Sequence, residues 1–460
     1  MTAPKATPDS QPEVAPGFGL ARVVLRPRKA LPFYGRHPWV LDSAIARLED
    51  LGGEPIADVE RLDGAVVDLL SDRGKFIARG LWNSRSQIRV RLYTFSVGEA
   101  LDEAFWRQML AAALRRRQQL GYVAATHPAT DAEAEPTRRT AAAAELPAHD
   151  GPPAVPAQRT SLTEQAARLV FSEGDGLSGL VVDQYGDYLV MQVSSAAIAR
   201  RTPLLVSLLA EMCRPRGIVV RADRAALSLE GLASLPLDGW GELPAEPVLI
   251  REHGVQYGVD LRRGQKTGFY LDQRENRRAA AAYLGGRRVL DMFCYTGGFS
   301  LAAVRLGGAR QVLGIDGSRQ AIALARANAQ LNGVSQAQFE VADAFATLAE
   351  LNHRGERFGG VILDPPKFAA SRATVNAALR AYHRLNRLAV ELLEPGGILV
   401  TCSCSGHVTR EDLLHVLAGV AQRTGRLIQV LEQRGAAPDH PVSASCLETE
   451  YLKCMICRVE

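Results

Sequence analysis

Two short segments of this chain carry the residue types that could do covalent chemistry. Asp364-Pro365-Pro366-Lys367-Phe368 closes one apolar run, GVILD, and Cys402-Ser403-Cys404-Ser405-Gly406 follows another, GGILVT. A thiol is a strong nucleophile once deprotonated, and a carboxylate beside it can bind the polar edge of a planar substrate. The paired prolines fix an extended turn that aims Asp364 and the backbone carbonyls. Phe368 offers a ring on which a base can stack. Cys402 and Cys404 share parity, so on a continuing strand they face the same side. Cys404 is nearer the carboxyl end, where ligands of parallel sheets sit, and is the preferred nucleophile. A single buried cysteine is more often inert packing; its place beside the DPP turn reverses that balance. Lys367 is either an electrostatic helper or a surface lysine.

A second set of residues lies in Val289–Ser300, VLDMFCYTGGFS, which reads as a buried strand, a glycine turn and the start of a helix. Three acids end three successive apolar runs: Asp291, Asp316 after VLGI, and Asp343 after FEVA. A pyrophosphate site would need G-x-G-x-x-G, and the turn Cys294-Tyr295-Thr296-Gly297-Gly298 does not match it. S-adenosylmethionine has no phosphate. Asp316 can take its ribose hydroxyls, Asp343 its adenine amine, and Asp291 its ammonium, directly or through water, with Tyr295, Thr296 and Gly297 forming the turn. NAD is the competing cofactor. Cys294 reads as packing within the turn. With a methyl donor, the thiol acquires a purpose. Carbon 5 of a pyrimidine is a poor nucleophile until a thiolate adds at carbon 6, and Asp364 can bind ring N3 and the exocyclic amine. The base would have to leave its stack.

The elements that position these residues follow from periodicity. From residue 251 to 460, strands and helices alternate through five pairs. The last two strands, RLIQVLEQ and YLKCMICRV, have no helix between them. This predicts an α/β, doubly wound, Rossmann-like sheet of the class I methyltransferase architecture with an antiparallel hairpin at one edge. Residues 1–18 read as a disordered tail and 19–96 as a small β-barrel, with RHPWVLDSAI as a helix or turn carrying Trp39. Residues 97–250 read as a central α+β unit. It opens with a helix over 101–121, whose Arg115-Arg116-Arg117 reads as a solvated end. It is interrupted by a low-complexity insertion at 124–160. Glu173 and Asp175 flank a glycine turn, where turn chemistry outweighs metal binding; no metal is expected.

Net charge is +4. Residues 20–95 hold thirteen Lys/Arg against nine Asp/Glu, an excess compatible with a polyanion partner and equally with a solvated surface. Seven cysteines without framework spacing indicate a reducing compartment. No signal peptide or apolar span is read, so a cytoplasmic protein with no membrane partner is expected.

At four motifs the chain resembles the bacterial large-subunit (23S) rRNA cytosine-5 methyltransferases of the methyltransferase I type: Lys266–Arg274 (KTGFYLDQR), Asp291–Gly298, Asp364–Phe368 and Ser403–Gly406. SEGDGLSGLVVDQYGDYLV and Asp439-His440-Pro441 add to the likeness, which spans residues 20–460 apart from 124–160. The resemblance implies a PUA domain, a central domain and a Rossmann-like catalytic domain at 251–460. It implies an RNA-binding enzyme of rRNA processing that acts on 23S rRNA, free or in early assembly particles, with a homodimer left open. It makes the Lys266–Arg274 run a wall of the cofactor pocket, with Lys266, Gln273 and Arg274 as its contacts. By residues alone, GQKTGFYLDQR is a glycine turn and a strand. Two other readings stand beside this one: an amino-group (guanine or adenine) methyltransferase without covalent catalysis, and a non-catalytic ribosome-assembly factor.

Overall fold

The computed structural model describes residues 17–122 and 166–460, apart from residues 223, 233, 263, 265 and 370. The expected insertion at 124–160 and most of the expected tail lie outside the described residues.

Short β-branched runs give β1 (Ala21–Leu25), β2 (Trp39–Leu41), β3 (Ile45–Glu49), β4 (Val66–Leu70), β5 (Phe76–Trp82) and β6 (Ile88–Thr94), in the order β2-β6-β5-β4-β1-β3. Only Asp42–Ala44 separates the two edge strands, β2 and β3. The sheet therefore has to curl until its edges meet, which is how the expected barrel shape arises without a closing ladder. RHPWVLDSAI forms β2 and the turn after it; the short helix α1 (Leu31–Tyr34) precedes it. Trp39 is an anchor. Its Nε1 donates to Glu173 Oε1 (2.9 Å) and Ser178 Oγ (3.2 Å) of the next unit.

Helix α2 (Glu103–Gln119) is capped by Asp102, which accepts from Phe105 N at 3.0 Å. Its arginine end turns inward, contrary to expectation. Arg117 is buried and donates to Asp175 Oδ1 (2.6 Å) and Asp439 O (2.8 Å), and Arg116 shares Asp175 (2.8 Å). Asp175 and Glu173 are thus occupied by arginines and by Trp39.

The central sheet is β7 (Ala166–Phe171), β8 (Leu180–Tyr185), β9 (Tyr188–Val193), β10 (Gly217–Ala222) and β11 (Gly239–Gly241), ordered β11-β10-β9-β8-β7. Helices α3 (Ala196–Ala199) and α4 (Thr202–Cys213) cross between β9 and β10, which is why that pair is parallel. Helix α5 (Arg224–Leu229) follows β10. A hairpin, β12 (Val248–Glu252) and β13 (Val255–Val259), leads onward. The described residues of the run GQKTGFYLDQR form no strand. They make a loop ending in a 3-10 turn, Leu271–Gln273, that runs straight into α6 (Arg274–Ala281).

The catalytic sheet alternates as predicted: β14 (Arg288–Met292), α7 (Gly298–Arg305), β15 (Gln311–Asp316), α8 (Arg319–Leu331), β16 (Ala337–Val341), α9 (Ala344–His353), β17 (Phe358–Leu363), α10 (Val375–Leu392), β18 (Leu393–Ser403), α11 (Arg410–Thr424), β19 (Ile428–Arg434) and β20 (Lys453–Val459). The order is β16-β15-β14-β17-β18-β20-β19, parallel except for β20, which inserts antiparallel between β18 and β19. β17 is buried at every residue, as a parallel strand covered on both faces must be. Polar residues start the helices: Ser318 accepts from Ala321 N (3.2 Å), Asp343 from Ala346 N (2.8 Å), and Thr409 with Asp412 forms a capping box. The strand order reverses between β14 and β17, which opens a crevice at their carboxyl ends. Among the described residues no helix is long and apolar enough to cross a membrane.

Candidate active site

The carboxyl ends of β14 to β18 open onto one cavity of about 470 Å³, closed on its far side by the loop before α6 and by Leu452. Lys266, Gln273, Tyr295, Asp316, Asp343, Asp364 and Cys404, all nominated from sequence, line it. Asp316 is held rigidly: Tyr295 N donates to its Oδ2 (3.0 Å) and Ser318 N to its Oδ1 (2.8 Å). Each oxygen keeps a lone pair for a ligand hydroxyl. Asp343 uses one oxygen as the α9 cap and faces the cavity with the other side free for a donor.

Asp364 follows β17 directly, and Gln273 Nε2 donates to its Oδ1 at 3.0 Å. Burial pushes its carboxyl up to about 6, with the Asp272 charge adding and Lys266 opposing. Cys404 lies one residue beyond the end of β18, so strand parity does not carry over to it. Its thiol points at Pro365 O across 3.8 Å. Burial raises its pKa, and the Lys266 cation acts against that. Cys402 is fully buried in an apolar cluster with Ile362, Val400 and Ile456, opposite Cys454 on β20, and does not reach the cavity. Cys294 does reach it, with its thiol pushed up by burial.

Four nominated residues sit behind the wall rather than in it. Asp291 is buried. Ser300 Oγ donates to its Oδ2 (2.6 Å), its Oδ1 has no partner among the described residues, and burial pushes it up to about 7 with Asp364 and Asp316 contributing. Gly297 makes the turn at φ +83°, where a Cβ would stand 3.1 Å from the Phe339 ring. Thr296 is buried and its carbonyl accepts from Asn328 Nδ2 (3.0 Å). Arg274 is the first residue of α6, so its side chain rotates away from Gln273's. It donates to Ala166 O and lies 3.5 Å from Asp439 Oδ2.

Several lining residues carried no strand-end signal. Phe269, Tyr270, Asp272 and Arg277 come from the loop before α6 and from α6 itself. Lys266 pairs with Asp272 (2.8 Å) and stands 4.3 Å from the Tyr270 ring centroid. Tyr451 also donates to Asp272. Arg277 is neutralised by Glu252, two bonds of 2.7 Å.

The cavity therefore collects carboxylates: neighbouring acids add to the burial that raises Asp364 and, behind the wall, Asp291, and among the described residues Asp272 Oδ1 and Asp291 Oδ1 lack a donor. A ligand bearing positive charge relieves that repulsion, whereas a pyrophosphate would add to it. S-adenosylmethionine carries a sulfonium and an ammonium, and its ribose hydroxyls match Asp316. The residues present fit it.

Comparison with known proteins agrees. The chain matches the S-adenosylmethionine-dependent methyltransferase family over residues 219–450 and a PUA-like domain family over residues 23–95. It is 39% identical over 426 residues to a ribosomal RNA large subunit methyltransferase I from Aeromonas hydrophila, covering 92% of this chain and 95% of that one. It is 37% identical over 441 residues to a protein of the same name from Salmonella newport, covering 95% and 97%. Among solved structures, SMU.776 complexed with SAH superposes with a TM-score of 0.74 at 20% identity, covering 95% of this chain and 99% of that one. That likeness speaks to the fold alone.

Proposed function

We propose, from the premise that the chain belongs to the ribosomal RNA large subunit methyltransferase I family of S-adenosylmethionine-dependent enzymes, that it forms 5-methylcytosine in large-subunit (23S) rRNA through a covalent adduct on Cys404. Bound in the cavity, S-adenosylmethionine supplies an electrophilic methyl group on a sulfonium. Asp316 and Asp343 hold its ribose and adenine, and Asp291 answers its ammonium from behind the turn, through water. Tyr295 and Gln273 close around it with Lys266. Arg274, Thr296 and Gly297 shape this pocket without touching its contents.

The cytosine enters flipped from its stack. Cys404, as thiolate, adds to carbon 6, and electron density moves to carbon 5, which takes the methyl group. The carbon-5 proton then passes to solvent water, its electron pair re-forms the C5–C6 double bond, the Sγ–C6 bond breaks and the thiolate is restored. The balance is one methyl gained and one proton lost by the base. Asp364 is suited to the ring edge. A carboxyl held up at about 6 can be protonated when the base docks, donate to N3 and accept from the exocyclic amine. The charge that builds on the ring during addition is then met by a donor already in place.

The observation that carries this reading is that Cys404 and Asp364 line the same cavity as Asp316 and Asp343, while Cys402 does not. Cys404→Ala should abolish methyl transfer while cofactor affinity changes by less than about threefold, because the thiol acts only in the chemistry. RNA bearing 5-fluorocytosine should trap a protein–RNA adduct. Mass spectrometry of rRNA fragments with and without the gene should find 5-methylcytosine missing. An N-methylated guanine or adenine in its place, or an active Cys404→Ala enzyme, would refute the proposal.

A further inference from the structure

Lys453 begins β20, directly opposite Ser403 in the β18–β20 ladder, and therefore lies alongside the turn that presents Cys404. It is 2% exposed, yet no acidic side chain bonds it. Its Nζ donates to Ser405 O (2.7 Å) and Tyr451 O (2.9 Å), which leaves the third N–H without a hydrogen bond among the described residues. The neighbouring Ser405 side chain is fixed as well. Its Oγ accepts from Ala369 N (3.2 Å) and sits 3.3 Å from Tyr382 Oη. Both carbonyls that Lys453 holds flank cavity residues: Ser405 follows Cys404, and Tyr451 precedes Leu452. A lysine this deep is costly unless its charge serves something.

We propose that Lys453 is a positioning residue for the nucleophile. Its ammonium clamps the turn after Cys404 through Ser405 O and sets a buried positive charge that favours the Cys404 thiolate. This deepens the covalent reading above and rests on Cys404 being the nucleophile. The thiol's proton passes to solvent water, and Lys453 keeps its own throughout.

The charges around both groups decide the sign. Cys404 faces Asp364 and Asp272, which hold its proton on, and Lys266, which helps it leave. Lys453 has Glu450 on its own segment and Arg410 and Asp412 on α11. Arg410 is engaged by Glu450 at 3.0 Å, so it does little to replace Lys453. Burial pulls Lys453 down to about 8 although the Cys404 charge pushes the other way. That attraction is mutual, so the ammonium favours the thiolate over the thiol.

The test uses the full chain and iodoacetamide, with the Cys404 peptide quantified by mass spectrometry across pH. In Lys453→Met and Lys453→Gln, the midpoint of the Cys404 alkylation profile should move up by about one pH unit, making labelling roughly tenfold slower near neutral pH. Lys453→Gln keeps an amide donor for Ser405 O, so it separates lost charge from a lost clamp even if the methionine variant folds poorly. Turnover in Lys453→Gln should fall about tenfold with cofactor affinity within about threefold, and Lys453→Arg should recover part of both readouts. A Lys453→Gln profile superposing on the wild type would overturn the role of the charge. Failure of the parent reading looks different: Cys404→Ala stays active whatever the thiol titration shows.

Discussion

Replacing Asp291 by asparagine should make the cofactor-free protein more stable at alkaline pH, although the residue stands directly behind the cavity wall. In the folded chain the carboxyl is buried, is bonded by Ser300 (Oγ at 2.6 Å) while its Oδ1 has no partner among the described residues, and is pushed up to about 7 from 3.8. The folded state therefore resists ionisation that the unfolded chain accepts. Stability from this group is intact below pH about 4, falls as pH rises through the interval from about 4 to 7, and is flat beyond it. The penalty grows from about 2 kcal/mol at pH 5 to about 4 kcal/mol at pH 8. Asparagine never ionises, and its oxygen can keep the Ser300 bond. Its amide N–H groups fall where Oδ1 has no partner, which costs about 1–3 kcal/mol at either pH. The variant should thus gain about 2–3 kcal/mol over the wild type on going from pH 5 to pH 8. That is about 5–10 °C in the unfolding temperature of a domain this size. Differential scanning calorimetry without cofactor reads it directly, and isothermal titration should show weaker S-adenosylmethionine binding by the same variant. A difference between variant and wild type that is the same at both pH values would refute the reasoning, since it would mean the Asp291 charge is not penalised.

Arg117→Met removes the donor to Asp439 O and Arg168 O and leaves Asp175 with Arg116 and the Phe171 N–H among the described residues. A buried pair broken on one side costs about 3–5 kcal/mol, measurable by urea unfolding, and a loss below about 1 kcal/mol would contradict it. Asp316→Asn should raise the S-adenosylmethionine dissociation constant at least about tenfold while rRNA binding in a filter assay stays unchanged, because only the cofactor touches that carboxylate in the proposal. Trp39→Phe removes the indole donor to Glu173 and Ser178 and should cost about 1–2 kcal/mol, with faster proteolytic cleavage between the N-terminal and central units; an unchanged digestion rate would speak against the anchor.

The strand-end residues were legible because a parallel sheet places every carboxyl end on one edge. Asp316, Asp343, Asp364 and Cys404 follow from apolar runs alone, and they meet in the cavity. Illegible were residues whose place depends on what comes before the first strand or after the last. Tyr270 and Asp272 were reached only through the resemblance of the Lys266–Arg274 run, and Arg277 not at all, because the chain makes a 3-10 turn and a helix there, where periodicity pointed to a strand. Arg274 misled for the same reason: one step along a helix turns the side chain about 100°, so Gln273 faces in and its neighbour faces away. Leu452 and Lys453 arrive only because β20 inserts beside β18, and pattern alone leaves open which edge a final hairpin joins. Arg117 illustrates a third limit. A run of three arginines on a polar helix end reads as solvated until Asp175 and the Asp439 carbonyl are known to lie against it.

The central unit follows from the same partners. The described residues of the loop that walls the cavity, 264 and 266–273, bury Phe269 and Leu271 in an apolar cluster and are fastened further by side chains from the central sheet. Tyr185 Oη lies 3.0 Å from Thr267 Oγ1 and accepts from Phe269 N (3.2 Å), Thr267 Oγ1 donates to Asp183, and Arg221 Nη2 donates to Gly264 O (2.6 Å). Asp183 can serve there only because Arg168 holds it through two bonds of 2.7 Å. At the same seam, Arg168 N donates to Asp439 Oδ2 (3.0 Å), His440 lies 2.8 Å from the other oxygen, and Arg117 binds the Asp439 carbonyl. Buried ion pairs of this kind add little net stability over apolar packing, but they tolerate almost no change in geometry. An apolar seam would let the loop slide. The charged one sets Lys266 and Asp272 at a fixed distance from Asp364 and Cys404, and it makes the central unit part of the cavity wall rather than a spacer between the PUA-like domain and the methyltransferase domain.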